Sequence, residues 1–329
     1  MRGWVVITSI HAPTEGVQGF ACREECDVLV VGDRKTPPDW CCHNVTFLPV
    51  AAQSRLSFRV GRYLPYNHYC RKMLGYLYAM SLGAEMMIDA DDDNIPRKSW
   101  GFPAFAGEYP TLPGGLGFVN VYELYTEQHI WPRGYPLRLA AQSGTAPRSR
   151  IRVEQAVVGV WQGLADETPD VDAVYRLTND QPCSFRDAGH HVLGRGTLSP
   201  FNSQNTAFRK ETFCLLYLPA FVTFRFTDIL RGLVAQPVMW QSGYHLGFTN
   251  ATVVQKRNTH DYMQDFESEI PMYLQTERVV ELVSGAVSAG SDLAGNLFNA
   301  YGVLHRADLV TGREMRCLEA WLLDCSDLV

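Results

Sequence analysis

The 329-residue sequence has no surplus of basic charge, no long apolar run and no paired cysteine motif. Its 29 lysines and arginines are outnumbered by 35 aspartates and glutamates, giving a net charge of −6. Proteins that work on nucleic-acid phosphates or anionic lipid usually carry a basic excess, so both kinds of partner are disfavoured. No apolar stretch approaches the roughly 20 residues of a spanning helix. The opening MRGWVVITSI passes straight into a β-branched run, unlike a targeting peptide. Nine cysteines, at 22, 26, 41, 42, 70, 183, 214, 317 and 325, are odd in number and scattered. Cys22 and Cys26 have helical spacing, but no second pair follows at a zinc-ribbon distance. They read as reduced thiols of a reducing compartment, which makes the expected location cytoplasmic. Walker A, a G-x-G-x-x-G after the first strand, G-x-S-x-G and H-E-x-x-H are all missing. Glycine-cradled phosphate sites, serine hydrolases and zincins drop out with them.

What remains is a chain with 46% hydrophobic and 12% aromatic residues, enough for a sizeable core and too much for disorder. Trp4–Ile10, Asp27–Val31, Thr46–Val50 and Glu85–Ile88 read as strands, and Tyr69–Leu82 as a helix. Strand and helix alternating over short connections predict a mostly parallel sheet covered on both faces. Ligands of such sheets bind beyond the carboxyl ends of the strands, so Thr8–Thr14, Gly32–Arg34 and Asp89–Asn94 are expected in one neighbourhood. Further on, Gly117–Tyr122 reads as a strand, residues 130–150 as a long functional loop, and Val153–Leu164 as a helix. From Gln275 onward helix formers dominate, and the expected organisation is one domain with a helical C-terminal extension.

The sharpest local feature is EMMIDADDDNIP at 85–96, where Asp89, Asp91, Asp92 and Asp93 follow an apolar strand. Carboxylates held this close repel one another and raise one another's pKa unless a cation neutralises them. Mg²⁺ or Mn²⁺ suits the task, taking one or two carboxylates plus substrate phosphates. A D-x-D at a strand end is also how nucleotide-sugar transferases hold a diphosphate. The alternative is a solvated acidic turn that caps a following helix through Asp93 or Asn94.

With these segments placed, the chain resembles the STELLO glycosyltransferase family. The matching pieces are WVVITSIHAPTEGV at 4–17, VVGDRKTP at 30–37, LPYNHYCRKMLGYLYAMSLGAEMMIDADDDN at 64–94 and QGLADETPDVDAVYRLT at 162–178. SPFNSQNTAF at 199–208, FRFTDILRG at 224–232 and QKRNTHDYMQDFESEI at 255–270 continue the match in order. A more distant similarity runs to the reversibly glycosylated polypeptides, which are UDP-arabinopyranose mutases. It rests on the acid triplet after a C-R-x-x-G-Y-L helix, R-G-Y-P at 133–136, and the segment at 196–208. Both resemblances imply a GT-A-like (Rossmann-like) fold binding a nucleoside diphosphate sugar, UDP-linked, with Mn²⁺ or Mg²⁺. Residues 1–274 would form that catalytic domain, with 275–329 packed on it as a helical extension. Plant STELLO proteins carry an N-terminal membrane anchor with no counterpart in these residues, so their Golgi location is not carried over. The implied activity is a hexosyl- or pentosyltransferase of polysaccharide biosynthesis acting on a glycan or glycolipid hydroxyl. The alternatives are a pyranose/furanose mutase and a catalytically silent scaffold for polysaccharide synthesis.

The resemblance also implies roles. Asp91 and Asp93 would hold the metal with His260 as third ligand, His245 being the competitor. Thr8, Ser9 and Asp33 would contact base and ribose, and Asp89 or Asp92 the ribose or donor sugar. Arg71 and Lys72 would pair with Asp89 or reach the diphosphate, and Arg225 and Arg231 would clamp phosphate. Arg133 would steady the leaving diphosphate by bidentate pairing. Asp228 is the expected base, its pKa raised by apolar surroundings, with a helix N-cap as the alternative. Asn202, Gln204 and Asn205 suit sugar hydroxyls; Trp131, Trp161 and Trp240 offer stacking faces unless they are core.

Overall fold

A strand sends alternate side chains to opposite faces, so a sheet built from unbroken apolar strands must be covered on both. A computed structural model describes residues 3–256 and 261–328 and shows this arrangement. Its strands are β1 (Gly3–Ser9), β2 (Cys26–Gly32), β3 (Val45–Leu48), β4 (Met86–Ala90), β5 (Asn94–Pro96) and β6 (Ala106–Leu112). They continue as β7 (Gly117–Phe118), β8 (Arg152–Asp166), β9 (His191–Leu193), β10 (Thr197–Leu198), β11 (Asn205–Arg209) and β12 (His245–Gln255). The helices are α1 (Glu15–Ala21), α2 (Val50–Gln53), α3 (Lys72–Ser81), α4 (Leu137–Ala140), α5 (Ala173–Thr178) and α6 (Thr227–Gln241). Last come α7 (Tyr262–Ala286), α8 (Leu293–Arg306) and α9 (Gly312–Ser326).

Ten strands form one sheet in the order β3-β2-β1-β4-β11-β8-β6-β9-β12-β5, with β8 also paired to β12. β1 to β4, β8 and β12 run one way, while β5, β6, β9 and β11 run the other. The sheet is therefore mixed, which corrects the expectation of a mostly parallel one. Parallel neighbours require crossover connections, which occur both in the first hundred residues and between β8 and β12, whose connection carries α5 and α6. The antiparallel pairings come from β5 and β9 against β12, β6 against β8, and β11, which slots between β4 and β8.

The stretch expected as a helix at Val153–Leu164 is instead the strand β8. From Val158 onward it is buried without a break, because it is paired on both edges and covered on both faces. Burial of that kind erases the alternation that marks a half-exposed strand. Gly117–Tyr122 likewise holds only the two-residue β7, followed by a 3-10 turn at Val121–Leu124.

On one face, Val5, Ile7, Val28 and Val30 pack with Val17 and Phe20 of α1 and with Trp100 and Phe105. On the other, Val6 and Leu29 join a larger cluster that runs through α3 and α6 to Val279, Leu297 and Trp321 of α7, α8 and α9. α7 passes through position 274 without interruption. No helix among the described residues is long and apolar enough to cross a membrane, and all nine cysteines are free.

α3 approaches the sheet closely because Gly75 has no side chain. A Cβ there would lie 2.6 Å from Val6 Cγ1 and 2.7 Å from Val31 Cγ2. Alanine has the better helix propensity by about 1 kcal/mol. Gly75→Ala is nevertheless expected to lower unfolding stability by about 1–2 kcal/mol in urea titration, since overpacking outweighs that gain.

Candidate functional site

The site is built on a buried charge cluster. Along β4, Asp89 falls on the same face as Met87, beneath α3 and α6, and is fully buried. Lys72 of α3 reaches it with Nζ 2.7 Å from Oδ1. The same ammonium donates to Ala90 O at 2.8 Å and Asp91 Oδ1 at 3.1 Å, which uses its three protons. Arg231 of α6 closes the other side, with Nη1 2.6 Å from Asp89 Oδ2 and Nη2 2.8 Å from Asn202 O. Burial works against the charge on Lys72, but Asp89 and Asp91 outweigh it and hold its pKa above the ordinary value.

Above this cluster the chain turns through Asp91, Asp92 and Asp93 at the carboxyl edge of the sheet. Asp92 is pinned, accepting from Ser9 Oγ with its side chain and from Thr14 Oγ1 with its carbonyl. Backbone approach here demands Gly16, whose Cβ would lie 2.6 Å from Asp92 O and 2.5 Å from Asn94 O. Asp93 Oδ2 accepts from Gln255 Nε2 at 3.1 Å, tying the loop to the end of β12. Asp91 opens toward a cavity of about 250 Å³ lined by all three aspartates. Desolvation pushes its carboxyl up to about 7; Lys72 opposes this, while Asp93 and Asp89 add to it.

The opposite wall carries an arginine between two carboxylates. Arg133 donates Nε and Nη2 to Asp170 at 2.8 and 2.9 Å, and Nη1 and Nη2 to Asp228 at 3.0 and 2.9 Å. Nη1 also donates to Arg225 O. All five guanidinium protons are thus engaged by the protein, and the bidentate pairing expected toward a diphosphate is made to these two aspartates instead. Asp228 accepts further from Tyr69 OH, Ser203 N and Ser203 Oγ at 3.2, 3.2 and 3.3 Å. The expectation of a raised pKa is therefore corrected: burial alone would raise it, but Arg133, helped by Arg231 and Arg225, holds the carboxyl well below the usual range. Asp228 sits in the first turn of α6 and not at its N-cap. Arg225 lines the same cavity.

A second cavity of about 200 Å³ shares Thr8, Tyr69, Asp92 and Phe224 with the first and adds Ser9, Asp33 and His68. Phe224 is half exposed and packs against Tyr69 and His68, with ring centroids 4.8 and 5.0 Å away. His68 Nδ1 accepts from Cys70 N at 3.0 Å, and Asp33 Oδ2 accepts from His68 N at 3.3 Å.

The three segments expected to meet at the carboxyl edge do meet. Thr8, Asp91, Asp92, Asp93, Arg133, Asn202, Gln204, Arg225 and Asp228 line the first cavity; Ser9 and Asp33 line the second. Asp89, Lys72 and Arg231 lie beneath, supporting the floor. Arg71 faces elsewhere, paired with Gln53 Oε1 and packed on the Tyr66 ring. Asn205 is buried between Trp100 Nε1 and Thr252 Oγ1. Trp131, Trp161 and Trp240 are core residues. His245 is at the far end of β12, bonded to Leu193 O. His260 and Asn258 lie outside the described residues. Asp170, Tyr69, Ser203, Phe224 and Gln255 are cavity residues to which sequence reasoning gave no role. For Asp170 a signal existed: an acidic turn after a strand, as at 91–93, hidden by reading β8 as a helix.

Among the described residues no three His, Cys, Asp or Glu side chains converge as a metal site. The donors at hand are the carboxylates of Asp91 and Asp93, hard oxygens with excess negative charge around them. That set fits a hard divalent ion which takes its remaining ligands from phosphate and water.

The family of STELLO glycosyltransferases matches residues 225–328, from Arg225 to just past the end of α9. Probable glycosyltransferase STELLO2 of Arabidopsis thaliana is 27% identical over 347 residues, covering 98% of this chain and 44% of the relative. Probable glycosyltransferase STELLO1 of the same plant is 26% identical over 351 residues, with coverage of 98% and 44%. The chain is STELLO-like, and it spans less than half the length of these curated relatives.

Two outcomes follow from the charges. Asp89→Asn leaves Lys72 and Arg231 buried against a neutral amide, and chemical denaturation should show a loss of about 3–5 kcal/mol. Burial lowers the pKa of His68 to about 4, against about 6.5 in the unfolded chain. Between those values the unfolded state takes up a proton that the folded state refuses, so this term favours folding above pH 6.5 and is lost as pH falls toward 4. Ring-proton NMR should show His68 still neutral at about pH 5.5, where an unperturbed histidine is mostly charged.

Proposed function

We propose that the protein is a glycosyltransferase of GT-A-like fold that takes a sugar from a nucleoside diphosphate donor, UDP being the expected nucleotide. The acceptor would be the hydroxyl of a glycan or glycolipid. The observation that carries this reading is the meeting of Asp91, Asp93 and Arg225 on one cavity at the carboxyl edge, next to a second cavity lined by Thr8, Ser9 and Asp33. The likeness to two relatives named as probable glycosyltransferases supports it.

In this reading the nucleoside rests in the second cavity against Phe224 and Tyr69, and the diphosphate crosses toward Asp91 and Asp93. A hard divalent cation held by those two carboxylates would neutralise the diphosphate as it leaves. Asn202 and Gln204 offer neutral amide groups to sugar hydroxyls. Asp228 is a poor proton acceptor, because six donors from Arg133, Tyr69, Ser203 and Ile229 surround its oxygens. Asp170 suits that part better, since its side chain is 12% exposed against 5% for Asp228, and among the described residues its Oδ1 accepts only from Arg133 Nε. It would take the acceptor proton as the new glycosidic bond forms and the bond to the diphosphate breaks. A mutase would need Arg133 to face the sugar, and its donors are spent on Asp170 and Asp228, so transfer is the preferred reading.

The test is UDP binding with and without Mn²⁺ by thermal shift and calorimetry. UDP should stabilise the wild-type chain only when Mn²⁺ is present. Asp91→Asn with Asp93→Asn should keep the fold and weaken UDP at least tenfold, about 1.4 kcal/mol. Full Mn²⁺-dependent UDP affinity in that double variant would end the reading.

A further inference from the structure

Two cations line the main cavity among the described residues, and they are not in the same condition. Arg133 has no donor to spare. Arg225 does: its Nε donates to Glu269 Oε1 at 2.9 Å and its buried Nη2 is ion-paired with the same oxygen at 2.9 Å, while Nη1 makes no hydrogen bond to any described residue. Its backbone N–H donates to Ser268 Oγ at 3.1 Å. Both partners belong to α7, a helix that contributes no residue to the lining of this cavity.

Glu269 is fully buried, which is costly for a carboxylate unless its acceptors are filled. They are filled from three directions. Oε1 takes Arg225, and Oε2 takes Ala173 N at 2.7 Å and the hydroxyl of Tyr273. Ala173 begins α5 directly after the turn that holds Asp170 and Asp172. Asp172 is in the same knot, bonded to Trp131 Nε1 at 2.6 Å; burial first, and Glu269 among the charges, push its carboxyl up to about 6. One side chain of α7 thus fixes both the Arg225 guanidinium and the backbone leading out of the Asp170 turn.

We propose that Glu269 is a positioning residue of the site. It holds Arg225 edge-on to the cavity so that the unspent guanidinium protons meet the terminal phosphate of a nucleoside diphosphate. This rests on the functional reading above. An unrestrained arginine would have to freeze its long side chain on binding, whereas one held by a buried carboxylate is already ordered. The helix that carries Glu269 then acts on ligand affinity without touching the ligand.

Calorimetry of UDP and UMP at saturating Mn²⁺ tests this through the ratio of the two affinities. Glu269→Gln should weaken UDP about tenfold and leave UMP within about twofold. Arg225→Met should do the same, and the double variant should lose no more than either alone. Equal weakening of both nucleotides would mean a merely structural role, and would overturn the proposal, as would an unchanged ratio or fully additive losses. If Glu269→Gln does not fold, Glu269→Asp keeps the charge but draws it back from Arg225; its UDP-to-UMP ratio should fall, and an unchanged ratio again overturns the proposal. A wild-type chain that binds neither nucleotide would sink the functional reading itself, and the inference with it, a result distinct from an altered or unaltered ratio.

Discussion

Everything at the carboxyl edge depends on one buried carboxylate being paid for twice over. Asp89 sits under the acid loop with no access to water, and it is tolerable there only because Lys72 and Arg231 reach it from two different helices. An isolated ion in that position would carry a penalty of several kcal/mol. The arrangement fixes α3, α6 and β4 relative to one another. It also leaves Lys72 shared with Asp91, so floor and cavity wall are electrostatically continuous. Gly75 belongs to the same design, since the ammonium reaches β4 only if α3 lies close to the sheet.

The two walls of the cavity treat charge in opposite ways. The aspartate loop gathers negative charge with only partial compensation; burial first, with Asp93 and Asp89 adding to it against Lys72, raises the pKa of Asp91. On the facing wall, Arg133 is paired with two aspartates and every one of its guanidinium donors is used. In the proposed reading the first wall would receive the cation, and the second would hold Asp170 against Arg133. Arg225 lies between these conditions, anchored on Glu269 through Nε and Nη2, with Nη1 left without a partner among the described residues.

Much of this was legible in the sequence, for identifiable reasons. The β1, β2 and β4 segments are short apolar runs that stop at turn or acidic residues, which is enough to bring the three aspartates at 91–93 to an edge; Asp89, expected at the ribose or donor sugar, lies beneath them on Lys72 and Arg231. The β8 segment defeated the same reasoning. A strand buried on both faces shows no alternation, and its glutamines and alanines look helical. Losing β8 hid Asp170 and turned a mixed sheet into a parallel one. The roles of Arg133 and Asp228 were misjudged for a different reason. A sequence shows that an arginine and an aspartate are present, 95 positions apart, but not that each will exhaust the other. Glu269 was in a matching segment and carried no motif of its own. Its importance comes from three contacts to separate parts of the chain, which no local pattern announces.

The Asp170–Arg133–Asp228 sandwich also limits what substitution can reach. Two carboxylates flank a flat, five-pronged cation, each meeting it along a separate edge. A lysine would keep the charge, yet its three protons fan out from a single tetrahedral nitrogen and cannot grip two planar groups side by side. In this corner shape is the irreplaceable quantity. A lineage that preserved only electrical balance here would be left with two loosened loops, each carrying an aspartate into the space where a sugar would lie.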